Sequence, residues 1–168
     1  MRWVWIDRFV AFEPGKRARA VKNLSQAEDY FRDHLPGYPV FPATLLLEGL
    51  AQTGGILAGQ AGDFRHNVVL AKIHTAQLHR EVYPGEMLEY EVELVDYRAE
   101  GATVRGRALV GTELVAEAEI LFAHVSPDKT TGSGSAAGNF VFTGDLKKLL
   151  GLNRLLPTQP SPSTTGPD

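Results

Sequence analysis

One long apolar segment, residues 43–61, constrains the fold of this chain more than any other feature. Its sequence is ATLLLEGLAQTGGILAGQA, so a helix formed by it would be apolar nearly all the way round. Such a helix is hidden only when other elements enclose it. The segment also contains Glu48, Gln52 and several glycines, and we therefore interpret it as a buried helix and not as a membrane span.

Six other segments have the pattern of β-strands. In residues 87–97, for example, leucine, tyrosine and valine alternate with glutamate. The predicted strands are residues 3–12, 18–24, 68–82, 87–97, 102–110 and 113–122. Two strands, one long helix and then four strands predict an α+β fold, in which an antiparallel sheet of about six strands wraps around one central helix.

The composition changes after Val125, and this change predicts the domain organisation. The chain has 168 residues, which suits one domain with a substantial core. We predict a folded domain over residues 1–125 and a flexible tail over residues 126–168, because the tail is rich in small and polar residues. A short helix is expected near residues 145–156. Its signals are a capping Asp145 and leucines at helical spacing, Leu146, Leu149 and Leu150.

Charge and cysteine content argue against several classes of function. The formal net charge is −3, whereas nucleic-acid-binding domains normally carry a basic surface. The chain has no cysteine, which excludes disulfides, thiolate nucleophiles and cysteine-ligated zinc and suits a reducing compartment. No secretory signal pattern is evident in MRWVWIDRF, so we predict a cytoplasmic location.

The start of the long helix is a candidate binding site for an anionic oxygen. Pro42 suits the first helical turn, and the preceding Phe41 has no side-chain oxygen with which to cap it. The backbone N–H groups of Ala43 and Thr44 are therefore expected to be available to a ligand. The alternative is a helix start capped by water or by a neighbouring loop.

Two titratable side chains flank that helix start. Glu48 lies among leucines, where burial would favour the protonated acid and make it a proton donor. The alternative is a structural glutamate bonded to the backbone or to an arginine such as Arg80. His34 lies in a proline-rich loop and is a candidate general base, although a single loop histidine is often only a surface residue. His74 and His79 are not expected to share a metal.

A base, an acid and free N–H groups together suggest enolate chemistry on a thioester. The carbonyl oxygen would bind at the helix start, His34 would take a proton from the α-carbon, and Glu48 would protonate a departing β-hydroxyl. A covalent acyl intermediate is not expected, because Ser25 is the only serine in residues 1–125 and cysteine is absent.

The segment HLPGYPVFPATLLLEGLAQTGGILAG, residues 34–59, closely resembles the signature of the hot-dog-fold 3-hydroxyacyl-acyl-carrier-protein dehydratases of bacterial type II fatty acid synthesis. That signature is His-Phe-Pro-Gly-x-Pro-x-x-Pro-Gly, followed by apolar residues, Glu and Ala-Gln. The resemblance extends over about residues 3–125. Leu35 and Ala43 replace the usual phenylalanine and glycine, a segment before Asp7 is missing, and the tail is additional.

The resemblance implies a hot-dog fold and dehydration of a (3R)-3-hydroxyacyl chain carried on acyl carrier protein, without metal or organic cofactor. His34 matches the family's histidine and Glu48 its glutamate, while Pro42, Ala43 and Thr44 match the substrate-binding helix start. In this family the histidine and the glutamate come from different subunits. The resemblance therefore implies a homodimer or a trimer of dimers.

Two other functions stay open from the sequence. One is a non-catalytic relative that binds acyl chains or a sister subunit, and the other is a thioesterase in which Glu48 activates water. Acyl carrier proteins are acidic, so docking would use basic residues near the site. Arg65, Lys72 and Arg80 are the candidates, and the alternative is that each is an ordinary solvated charge.

Overall fold

The fold is built from one six-stranded antiparallel sheet and one long helix. The computed structural model describes residues 4–126 and 150–156. The helices are α1 (Asp29–Asp33), α2 (Ala43–Ala61) and α3 (Leu152–Leu155). The strands are β1 (Arg8–Glu13), β2 (Arg17–Asn23), β3 (Asn67–Leu78), β4 (Met87–Tyr97), β5 (Gly101–Val110) and β6 (Glu113–Val125).

The strands lie in the order β1-β2-β4-β5-β6-β3, and every neighbouring pair is antiparallel. Helix α2 contacts five of them, β2 to β6, and packs on one face of the sheet. Because α2 covers only one face of the sheet, buried and exposed residues alternate along the strands. In β5, for example, Ala102, Val104 and Ala108 are buried, whereas Arg105 and Arg107 are exposed. The predicted α+β architecture, a sheet of six strands around one long helix, is confirmed.

Small residues of α2 let the helix and the sheet approach closely. A β-carbon placed on Gly49 would lie 2.3 Å from Cζ of Tyr90, and one on Gly54 would lie 2.8 Å from Cγ2 of Val104. Both glycines are buried in the helix. The tyrosine ring therefore fills the space that any larger residue at position 49 would need.

Among the differences from the predicted elements, three are the largest. The first strand begins at residue 8 and not at residue 3, because the Trp5 N–H donates to Oε1 of Gln52 on α2. Strand β3 ends at Leu78 and not at residue 82, since the chain then forms a connection held by Arg80. Helix α1 was not predicted at all, because it has only five residues and a single buried side chain, Phe31.

The prediction that α2 is enclosed on nearly every side is wrong for its first turns. The second half of the helix is buried, but Ala43, Thr44 and Glu48 are exposed. The helix therefore presents one open face near its N-terminus, and this face carries the residues singled out from the sequence.

Residues 150–156, which lie within the predicted tail, pack against the domain. Leu150 and Leu152 are each only 1% exposed and belong to the hydrophobic core. The N–H of Phe9, on the edge strand β1, donates to the carbonyl oxygen of Leu150 (3.0 Å). The observed helix Leu152–Leu155 lies inside the predicted range 145–156, whereas Asp145, Leu146 and Leu149 lie outside the described residues.

None of the helices that the structure describes has both the length and the apolar character needed to cross a membrane.

The packing of the C-terminal segment gives a stability prediction. Leu152→Ala should lower the free energy of unfolding by about 2–5 kcal/mol, because it leaves a cavity beside β1. The matched control is Leu155→Ala, since Leu155 is only partly buried and should cost less than half as much. Urea unfolding measures both. Equal midpoints for the two variants would contradict the packing described.

Candidate functional site

His34 is placed by the short helix α1. The buried Phe31 anchors this helix to the core, and His34 follows it directly as its C-cap residue. The N–H of His34 donates to the carbonyl oxygen of Tyr30 (3.1 Å), which fixes the backbone, while the imidazole ring is exposed. The ring is therefore free to meet a ligand.

The loop from His34 to Pro42 leads into α2 and is bound to the connection between β3 and β4. It turns at Gly37, whose φ of +80° favours glycine, and the Tyr38 N–H donates to the carbonyl oxygen of Leu35 (2.9 Å). Further along, the N–H of Phe41 donates to the carbonyl oxygen of Val82 (2.7 Å). These bonds fix the path of the chain between the histidine and the helix.

The start of α2 has no side-chain cap. Pro42 is the N-cap residue, so it precedes the first helical turn and does not lie in it as the sequence suggested. Its carbonyl oxygen accepts from the N–H groups of Leu45 and Leu46. Within residues 4–126 and 150–156, the N–H groups of Ala43 and Thr44 have no acceptor. They carry the partial positive charge of a helix N-terminus.

His34 lines two neighbouring clefts that both reach this helix start. One cleft contains Pro42 and Thr44, together with Tyr30 and Trp5. The other contains Pro42 and Ala43, together with residues of the β3–β4 connection. His34 and the start of α2 thus line the same clefts within one chain. A carbonyl oxygen bound to the N–H groups of Ala43 and Thr44 would therefore lie in a cleft that His34 also lines.

Glu48 lies elsewhere on the helix, and the expectation that it is buried is wrong for the single chain. It is exposed and not buried within the chain, and it does not pair with Arg80. Its Oε1 accepts from Nε2 of Gln52 (3.0 Å), whose Oε1 accepts the Trp5 N–H (2.8 Å). Glu48 lines neither of the two clefts that contain His34.

Gln52 is a site residue that sequence reasoning missed. Because the Trp5 N–H occupies its carbonyl oxygen, its amide NH₂ is directed to the carboxylate of Glu48. The i, i+4 spacing of a glutamate and a glutamine on a helix was the available signal. The effect of this bond is to hold the exposed carboxylate in one direction.

The predicted basic candidates differ in their contacts. Arg80 pairs with Glu86 and with Glu113, both at 2.9 Å, and the hydrogen bond to Glu86 chiefly raises the pKa of Arg80. Arg65 pairs with Asp63 (3.2 Å). Lys72 is exposed on β3 and has no ion pair within the described residues.

The remaining histidines form no metal site in the part of the chain that the structure describes. No group of three or more His, Asp or Glu side chains there could hold a metal ion. The rings of His66 and His124 stack at 5.9 Å, and Nε2 of His79 lies 3.4 Å from Oε1 of Glu117.

Comparison with known proteins identifies the family to which this chain is similar. Residues 2–119 match the model of the FabA-like domain. The chain is 42% identical to the 3-hydroxyacyl-acyl-carrier-protein dehydratase FabZ of Pelotomaculum thermopropionicum, over 70% of the chain and 85% of the relative. It is 45% identical to the enzyme of the same name from Symbiobacterium thermophilum, over 71% of the chain and 85% of the relative.

Solved structures with low identity share the fold. The dehydratase heterocomplex ApeI:P of Xenorhabdus doucetiae has a TM-score of 0.64 at 11% identity, over 75% of the chain and 86% of the neighbour. A thioesterase of Haemophilus influenzae has a TM-score of 0.58 at 11% identity, over 70% of the chain and 77% of the neighbour. The family match and the sequence relatives show that this chain belongs to the FabA-like family, as a hot-dog-fold relative of the 3-hydroxyacyl-acyl-carrier-protein dehydratases.

Proposed function

We propose that this protein dehydrates (3R)-3-hydroxyacyl-acyl-carrier-protein to trans-2-enoyl-acyl-carrier-protein in fatty acid or lipid A biosynthesis. The observation that carries the proposal is the cleft that holds His34 beside the unbonded amides of Ala43 and Thr44, in a chain whose relatives are named as such dehydratases. The proposed substrate-binding residues are Pro42, Ala43 and Thr44, and the proposed catalytic residues are His34 and Glu48.

The proposed reaction needs only proton transfers. The N–H groups at the start of α2 bind the thioester carbonyl oxygen and stabilise the negative charge that develops on it. His34 removes the proton from the α-carbon, and that electron pair forms the new double bond. The bond from the β-carbon to its hydroxyl breaks, and Glu48 supplies the proton with which the hydroxyl leaves as water. The protonated His34 then returns a proton to Glu48, so the enzyme is unchanged.

A complete site in this proposal uses two copies of the chain. His34 and the helix start share clefts in one chain, but Glu48 lines neither of them. In a homodimer with twofold symmetry, Glu48 of one copy meets His34 of the other, and two equivalent sites result. The face of α2 that carries Glu48 is exposed in the single chain, as this arrangement requires.

Strand β3 supports a homodimer for a separate reason. It is an edge strand of 12 residues, and its exposed side chains include Val69, Leu70, Ile73 and Leu78. A long apolar edge would favour aggregation if it stayed open. We propose that a second copy covers β3, with a trimer of dimers as the larger assembly.

The remaining elements of the proposal concern partners and location. The partner is acyl carrier protein. Of the three basic candidates, Arg65 and Arg80 already pair with carboxylates, and Lys72 lies on β3, the strand that a second copy is proposed to cover. No metal or organic cofactor and no nucleic acid enters the proposed reaction. A cytoplasmic location is proposed on the absence of cysteine.

The first test replaces the two proposed catalytic residues. His34→Ala and Glu48→Gln should each reduce turnover of hydroxyacyl-carrier substrates by about 10²–10⁴-fold, because each removes a proton-transfer group. The matched controls are His66→Ala and Glu93→Gln, which change exposed residues outside the site and should keep activity within about twofold. Enoyl absorbance measures the reaction.

Two results would contradict the proposal. Release of free carrier thiol without enoyl absorbance would show a thioesterase. A wild-type protein without any product would show a non-catalytic acyl-binding relative.

The second test asks whether the site is shared between subunits. Inactive His34→Ala and Glu48→Gln proteins are unfolded together, refolded as a mixture and assayed. Random pairing gives half heterodimers, each with one intact site, so about one quarter of wild-type activity should return. Each variant refolded alone is the control and should stay inactive. No recovery in a mixture that contains heterodimers would place both residues of a site in one chain.

The third test concerns Gln52. Gln52→Leu should lower turnover about tenfold, because the carboxylate of Glu48 loses the amide that directs it. Gln60→Leu is the matched control, since Gln60 also lies on α2 and also accepts a backbone N–H, from Gly15 (3.1 Å). The measurement is kcat for both variants. Equal kcat values would assign the Glu48–Gln52 bond no role in catalysis.

A further inference from the structure

Three side chains form a hydrogen-bonded cluster beside the cleft that contains His34, Ala43 and Glu81. The hydroxyl groups of Tyr38 and Tyr83 both donate to Oε2 of Glu81, at 2.5 Å and 2.6 Å. The two phenolic oxygens lie 3.2 Å apart, and the rings pack edge to face at 6.4 Å. Each member thus contacts both of the others, although Tyr38 and Glu81 are 43 positions apart in the chain.

The cluster joins the loop that carries His34 to a different part of the fold. Tyr38 lies in that loop, four positions after the histidine. Glu81 lies on the connection between β3 and β4 and lines the same cleft as His34. Within the described residues, one other hydrogen bond joins the two segments, from the Phe41 N–H to the carbonyl oxygen of Val82. The cluster is therefore a second attachment point, closer to the histidine in sequence.

The side of the cluster opposite the loop is firmly held. Arg80 donates to the carbonyl oxygen of Glu81 (2.6 Å) and pairs with Glu86 and Glu113. The N–H of Tyr83 donates to Oε2 of Glu86 (2.6 Å). Glu81 and Tyr83 thus lie on a connection whose backbone is held by hydrogen bonds and ion pairs. A tyrosine that binds to them is fixed to a part of the fold that is itself attached to the sheet.

The hydrogen bonds of the cluster favour an ionised Glu81. The bonds from Tyr38 and then Tyr83 lower the pKa of Glu81, and the bond to Glu81 raises the pKa of Tyr83. Hydrogen bonds from neutral hydroxyls to a carboxylate are shorter and stronger than those between neutral groups. Two such bonds on one oxygen distinguish this cluster from an isolated surface contact.

We infer that Tyr38, Glu81 and Tyr83 form a positioning cluster, which holds the His34 loop against the β3–β4 connection and so keeps the imidazole ring aligned with the helix start. None of the three touches the reacting atoms in this role. The effect on turnover rests on the proposed function, whereas the effect on the loop does not. A base displaced by a fraction of an ångström loses much of its rate advantage.

The loop is tested directly by hydrogen exchange in the full chain. Glu81→Ala should increase exchange of the Tyr38, Val40 and Phe41 amides about threefold or more, because the loop loses its second attachment. Glu93→Ala is the matched control, since it removes an exposed carboxylate from β4 outside the cleft, and it should leave these amides unchanged. Exchange in the Glu81→Ala protein equal to that in the control overturns the inference, whatever the activity.

Turnover gives the second measurement. Glu81→Ala and Tyr38→Phe should each lower kcat about three- to tenfold while KM stays within about twofold, because substrate binding is kept and alignment is lost. Tyr97→Phe, which removes the hydroxyl of a tyrosine outside the cluster and both clefts, is the control and should be neutral. Glu81→Gln keeps an acceptor oxygen and should restore part of the lost kcat.

A double-mutant cycle separates positioning from general destabilisation. If Tyr38 acts through Glu81, the Tyr38→Phe/Glu81→Ala protein should be no slower than Glu81→Ala alone. Multiplied effects, or a loss of kcat that merely follows a lower thermal unfolding midpoint, overturn the inference. A wild-type protein without dehydratase activity would refute the proposed function, and the exchange experiment would still decide whether the cluster holds the loop.

Discussion

The close contact between helix α2 and the sheet is the constraint on which the rest of the structure depends. Where Tyr90 packs against Gly49, no side chain separates the ring from the helix. This contact fixes the rotation of α2 about its own axis. Since Leu46, Gly49 and Thr53 are turned inward, the residues on the opposite stripe, Thr44 and Glu48, must face away from the sheet. The direction of the carboxylate is thus set by a glycine one position further along.

Two surface features of the single chain matter for the proposed dimer. The outward face of α2 carries the exposed carboxylate of Glu48, and β3 ends the sheet with apolar side chains exposed. The exposed apolar edge is costly for an isolated chain, whereas the solvated carboxylate is not, and the proposed association would cover that edge. The position of His34, the proposed base, does not depend on a second copy, because this residue is fixed from within its own chain by α1 and by the loop bonds.

Much of the fold could be predicted from sequence because alternation and helical periodicity report burial. The predicted boundaries of β4 at residues 87–97 and of α2 at residues 43–61 match those observed. The start of β1 was misplaced because a side chain of α2 captures the backbone at Trp5, and no local pattern shows this. The exposure of Glu48 was missed for a related reason. An apolar setting in the sequence does not tell whether the cover comes from the same chain or from another.

The candidate site was predictable only in part. Short-range features, such as the proline at the helix start and the spacing of Glu48 and His34, are visible in the sequence. Contacts between distant segments are not, and the bonds from Tyr38 to Glu81 and from Trp5 to Gln52 belong to this class. The i, i+4 spacing could have paired Gln52 with Glu48, but the Trp5 bond that orients the Gln52 amide and the tyrosine bonds to Glu81 could not be found without the folded chain.

The attachment of Leu150 to β1 has a consequence for how the molecule is made. Strand β1 leaves the ribosome long before the leucines that complete its packing. Once residues up to Val125 have emerged, the six strands can pair and α2 can pack on the sheet, while the apolar patch beside Phe9 still has no cover. Until Leu150 and Leu152 have been synthesised, a chaperone or a neighbouring polypeptide can therefore compete for this patch.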